Sequence, residues 1–208
     1  MSVYRASDLP GAGPLQESLR RQLQEIENHL SVIDPAIAEP WATVFVPGQS
    51  ATAVSGVQPG FTTIPGLSVL AFLFDQSSTE TIQFALVMPR DWREGTVVYP
   101  AVHWTRGGSL SGNAVWELRY ARADVSEALV EATITLTAVA GGQLVHHRSE
   151  FAGLSLSDLL IQSTLICQLS RLGGGAGDTL SEDAALIGVA LAYQKDSHGS
   201  GERVAKRL

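Results

Sequence analysis

Residues Val130 to Ala138 alternate without a fault. Val130, Ala132, Ile134, Leu136 and Ala138 occupy one side of a period-2 pattern, and Glu131, Thr133, Thr135 and Thr137 the other. Successive side chains of a strand project to opposite faces, so this stretch separates its apolar from its polar side only as a β-strand. Other segments follow the same rule. Ile82, Phe84, Leu86 and Met88 alternate within Glu80–Met88, and Trp104 and Trp116 lie in two further alternating runs, Thr96–Thr105 and Asn113–Arg122. Trp41–Pro47 and Ala51–Val57 read as short strands flanked by Pro47-Gly48 and Pro59-Gly60. Leu67–Phe74 is almost continuously apolar, as expected of a strand buried on both faces.

Turn chemistry separates these runs. Arg106 to Gly112 holds three glycines and reads as a hairpin loop, and Gly141-Gly142 turns the Val130 strand into Gln143–Phe151. Leu159–Leu172 fits a strand or a helix by period alone, and Ala184–Tyr193 is expected to close the sheet. Roughly eight to ten strands with no helix between them predict a mainly β chain, a jelly-roll-like antiparallel β-sandwich with an N-terminal α-helix.

The helix is expected ahead of the strands. Pro10, Gly11 and Gly13 mark an extended arm, and Pro14 suits a first helical turn. Leu19, Leu23, Ile26, Leu30 and Ile33 then recur at spacings of four, three, four and three, with Leu15 one turn earlier. That is the seam of a coiled coil. Asp34-Pro35 ends it, because a residue before proline is pushed out of the helical region. The chain thus divides into an arm and attachment or oligomerisation helix, 1–35, and a sandwich, 36–208. Two readings of the helix stand: packed on its own domain, or docked on other subunits. A seam this short does not hold a helix in isolation.

Charge narrows the partners. A net charge of −7 argues against nucleic acid or an anionic membrane. No apolar stretch reaches the ~18 residues of a membrane span, and the N-terminus lacks the apolar core of a secretory signal. One cysteine, Cys167, excludes an intrachain disulfide.

Candidate site residues come from the aromatics and histidines. Trp92, Trp104, Trp116 and Tyr120 fit either a sugar-stacking platform or large core fillers whose N–H and O–H groups find partners near the sheet edge. His103, His146 and His147 invite a metal reading of the kind found in cupins. Adjacent His146 and His147 must face opposite sides of a strand, however, so only one joins any single site. His103 is expected to be hydrogen-bonded in the sheet or at a subunit contact. No nucleophile elbow, phosphate loop or zinc-protease motif occurs. Neither catalytic residue, metal nor cofactor is expected, and the chain is read as not an enzyme.

Four segments carry a resemblance. They are the arm with its Leu15–Ile33 helix; Pro89-x-x-Trp92-x-x-Gly95 leading to His103-Trp104 and Trp116-x-x-x-Tyr120; Arg171-x-Gly173 through Asp178-Thr179; and Tyr193-Gln-Lys-Asp196 with Gly199-Ser200. Together they resemble virion structural proteins of tailed bacteriophages or gene transfer agents. The resemblance implies a particle-surface subunit made in the host cytoplasm, a head spike or decoration protein on the capsid. Its partners would be other virion proteins, and it would form a homo-oligomer, a trimer before a pentamer. A tail-fibre or receptor-binding subunit that holds glycans is the alternative, and a cupin-like metal enzyme the third. On that reading Leu15, Leu19, Leu23, Ile26, Leu30 and Ile33 serve attachment. Trp92, His103, Trp104, Trp116 and Tyr120 are the candidate glycan or subunit contacts.

Overall fold

A computed structural model describes residues 20–26, 41–124, 127–157 and 159–196. The chain divides into two compact units, Met1–Pro40 and Trp41–Leu208. Within the first, residues 20–26 are helical, and Leu23 and Ile26 are both exposed. Leu15, Leu19, Leu30 and Ile33 lie outside the described residues.

Among the described residues, the second unit holds eleven strands: β1 Trp41–Pro47, β2 Thr52–Ala53, β3 Gly60–Thr63, β4 Leu70–Phe74, β5 Thr79–Val87, β6 Tyr99–Arg106, β7 Asn113–Ala123, β8 Val130–Val139, β9 His147–Glu150, β10 Thr164–Leu172 and β11 Ala184–Gln194. They form two antiparallel sheets. One runs β3-β4-β11-β6-β9, with β1 also paired to β11; the other runs β2-β5-β10-β7-β8. One apolar cluster draws on both sheets, including Phe74, Val102, Trp104, Leu186 and Leu191 from the first and Ile82, Trp116, Leu118, Leu165 and Leu169 from the second.

Three sequence expectations are corrected by this topology. Arg106–Gly112 is not a hairpin loop: β6 and β7 lie in different sheets, so the segment crosses between them. Gly141-Gly142 likewise carries the chain from β8 in the second sheet to β9 in the first. And β11 does not close its sheet but lies inside it, between β6 on one flank and β1 and β4 on the other. Local turn residues reveal that a chain reverses, but not whether the next strand pairs with the last. At Gly112 the crossing passes so close to the backbone of Thr179 that a Cβ would fall 2.4 Å from its carbonyl oxygen.

Two buried arginines hold the crossings. Arg106 donates through Nε to the Gly141 carbonyl at 2.8 Å and through Nη1 to Leu110 O and Glu182 Oε1, each at 2.5 Å. Arg171, wholly buried, meets Asp178 with Nε at 3.0 Å and Nη2 at 2.8 Å, and donates to the carbonyls of Phe74, Leu180 and Glu182. A guanidinium has five donors in a fixed fork, so one side chain satisfies several loop carbonyls that would otherwise be buried without partners. The Arg171 to Asp178 segment is therefore a structural staple. Tyr193 and Lys195 play a similar part, holding Asp91 at 2.9 and 3.1 Å beside the turn that carries Trp92.

Candidate binding face

The outer face of the first sheet is set by a bulge. Register along β11 shifts between Leu186 and Gly188 where it pairs with β6. An extra residue in one strand reverses which side chains point inward beyond it. Leu186 and then Val189, Leu191 and Tyr193 all reach the core, leaving Gly188, Ala190 and Ala192 on the outside. The middle of the outer face is therefore a floor of small residues.

Large side chains from both neighbouring strands lie over that floor. The register aligns Thr43, Ala192 and Tyr99 in one row, Phe45, Ala190, Ala101 and Glu150 in the next, and Gly188, His103 and Arg148 in a third. Ala42, Val44 and Val46 turn inward from β1 and pack on the core, so Trp41 and Phe45 turn outward, 53% and 45% exposed. Trp41 and Tyr99 meet with ring centroids 5.7 Å apart and planes at 57°. Phe45 stands edge-on to His103 at 5.4 Å, and a Cβ on Gly188 would strike its ring. Trp41, Tyr99, Ala192 and Glu150 enclose a shallow cleft of about 330 Å³.

Polar groups border the aromatics. Arg148 Nη2 donates to Glu150 Oε2 at 2.6 Å. His103 Nδ1 and His146 Nε2 lie 2.9 Å apart and share one proton. Burial, then the charges of His146 and Arg148, holds His103 below the ordinary histidine range, so it is neutral where most histidines begin to charge. His147 turns to the other side, its ring against Trp104 at 4.7 Å. Among the described residues no group of three or more His, Cys, Asp or Glu is placed to hold a metal ion, and no helix is long and apolar enough to cross a membrane. Cys167 is buried, and its thiol is pushed up to about 12, which keeps it protonated.

Of the residues singled out in the sequence, His103 stands on this face with His146 against it. Trp92, Trp104 and Trp116 have no exposed surface, and Tyr120 is buried beside them. They fill the core and offer no ring to a ligand. Trp92 donates to Thr96 Oγ1 and Trp104 to Ser149 Oγ, at 3.1 and 3.0 Å. The residues missed were Trp41, Phe45, Tyr99, Arg148 and Glu150. A signal did exist in β1: Ala42, Val44 and Val46 already supply a core-facing row, so Trp41 and Phe45 are surplus to it.

No protein-family model and no curated protein sequence matches the chain. Among solved structures it is similar to a family 35 carbohydrate-binding module from Clostridium thermocellum, with TM-score 0.43 and 8% identity over 74% of this chain and 98% of that one. It is also similar to the CBM36-1 domain of a multidomain xylanase from the hindgut metagenome of Trinervitermes trinervoides, with TM-score 0.40 and 9% identity over 74% and 99% of the two chains. A third similar structure is the enzymatically active domain of bacteriophage CBA120 tailspike protein 4, with TM-score 0.37 and 9% identity over 73% of this chain and 19% of that one.

Proposed function

We propose that the jelly-roll-like sandwich is a non-catalytic glycan-binding module, and that it serves a phage-like particle as a receptor-binding subunit. The exposed Trp41 paired with the half-buried Tyr99, facing a cleft floored by Ala192, carries the reading. Two flat rings held at an angle over a small-residue floor offer one face for a pyranose ring to stack on and a second to flank it. Trp41, Phe45 and Tyr99 gathered on the outer face of a sheet whose core needs are already met form an aromatic patch suited to contact. The outer face of a sheet also holds its side chains more rigidly than loops do, so little entropy is lost when a ligand settles. The capsid-decoration role expected from the sequence finds no support in this geometry, and the glycan-binding alternative replaces it.

Isothermal titration with an oligosaccharide hit from a glycan array tests the reading. Trp41→Ala and Tyr99→Ala should each weaken binding by about tenfold or more, equivalent to ~1.4 kcal/mol, with thermal unfolding unchanged. Trp41→Phe should retain part of the affinity. Equal affinity in Trp41→Ala and the wild type would rule this face out.

A further inference from the structure

The charges beside the cleft decide which sugars it admits. Glu150 lines the cleft, and Arg148, on the same face of β9, is joined to it at 2.6 Å. A uronic or sialic acid needs a cation whose donors are free to take its carboxylate, ideally an arginine in paired hydrogen bonds. Glu150 offsets the charge of Arg148 and its own carboxylate repels an acidic ligand, while His103 is hydrogen-bonded to His146. The net charge of −7 adds repulsion at longer range. A neutral pyranose meets none of these obstacles. Its hydroxyls donate to a carboxylate in charge-assisted hydrogen bonds, while its C–H face lies on Trp41.

On the strength of the glycan-binding reading, we infer that the cleft selects neutral sugars and that Glu150 is the residue that sets this selectivity, both by accepting sugar hydroxyls and by offsetting the charge of Arg148. Removing Glu150 therefore does two opposite things: it deletes an acceptor for neutral sugars and releases a guanidinium for acidic ones. Arg148 and Glu150 are both substantially exposed on the edge strand β9, so neither is needed for folding.

The test titrates the full chain with two probe sets, neutral oligosaccharides (glucan, xylan and mannan fragments) and acidic ones (oligogalacturonides and sialyllactose). The wild type should bind a neutral probe at least about tenfold more tightly than any acidic probe. Glu150→Ala should lose about tenfold on the neutral probe and bind acidic probes more tightly than the wild type does. Arg148→Ala/Glu150→Ala should lose that gain. Equal wild-type binding of both classes, or an unchanged preference in Glu150→Ala, overturns the selectivity while leaving the glycan reading intact. Binding of neither class, or binding indifferent to Trp41→Ala, overturns the glycan reading and this inference with it.

Discussion

At the scale of single residues, His103 and His147 couple the sandwich to pH. Both titrate below the ordinary histidine range when folded, chiefly through burial. His146 and Arg148 add to the effect at His103, and Arg106 and His146 at His147. A base whose pKa is lower in the folded chain takes up its proton preferentially on unfolding. The associated stability is fully present above the unfolded histidine pKa of ~6.5, and is lost as pH falls through it toward the lower folded value. Glu80 and Asp183 act with the opposite sign at lower pH, because burial holds their carboxyls above the usual range. Melting temperature should thus fall as pH is lowered from about 7.5 to about 5, and His103→Gln/His147→Gln should flatten that slope. A slope identical in the double variant would show that neither imidazole is responsible. The aromatic residues show what the sequence made legible at this scale. Strand alternation placed Trp104 and Trp116 in sheets, but period alone does not say which face of a strand looks inward. Once the structure assigns the faces, Trp116→Ala is expected to destabilise the fold by about 3–5 kcal/mol, measured by denaturant unfolding, since its wholly buried indole packs on Phe74 and Trp104.

At the scale of elements, the proposed binding face depends on the β11 bulge and on the buried staples. The bulge was hidden in the sequence because each half of Ala184–Tyr193 alternates acceptably, and only pairing with β6 reveals the change of phase between Leu186 and Gly188. The strands themselves were more legible. Trp41–Pro47 matches β1 at both ends, and the clean alternation from Val130 is β8, whereas β3 went unforeseen because Gly60–Thr63 is short and exposed throughout. Leu159–Leu172, ambiguous by period, contains the strand Thr164–Leu172. Which strands neighbour one another was not legible, since that rests on contacts such as Arg171 with Asp178 across a glycine-rich loop. This pair is wholly buried on both sides. Removing one partner leaves an uncompensated charge in the interior, so Asp178→Ala should destabilise by about 3–5 kcal/mol. Replacing Gly188 by valine should act differently. A side chain there collides with the Phe45 ring and the Val46 carbonyl, so β1 is pushed off β11 and glycan affinity falls together with β1 protection in hydrogen exchange. Loss of affinity with β1 protection intact would contradict this account.

At the scale of the whole molecule, we propose that the two compact units divide the work, self-association falling to the first and recognition to the second. The seam expected from Leu15 to Ile33 repeats at coiled-coil spacing, and the part of it within the described helix leaves Leu23 and Ile26 exposed. Apolar side chains at that spacing on a helix find burial most readily against identical helices, where each knob enters a hole formed by its neighbours. A lone helix of this length is marginal in water, so helix formation and association are expected to be coupled and therefore dependent on concentration. Joining several sandwiches in one oligomer would also raise avidity for a surface dense in glycans, by making the second and third contacts intramolecular. Light scattering of the intact chain should give an oligomer, with a trimer favoured, and Leu23→Asp/Ile26→Asp should give a monomer. That monomer should keep the wild-type affinity for a soluble oligosaccharide, because Trp41, Tyr99 and Glu150 all belong to the other unit. Its retention on a glycan-coated surface should drop by at least about tenfold through lost avidity alone. An oligomer that survives both substitutions would move the assembly contact off this helix, and a monomer that retains full surface binding would remove the need for association in recognition.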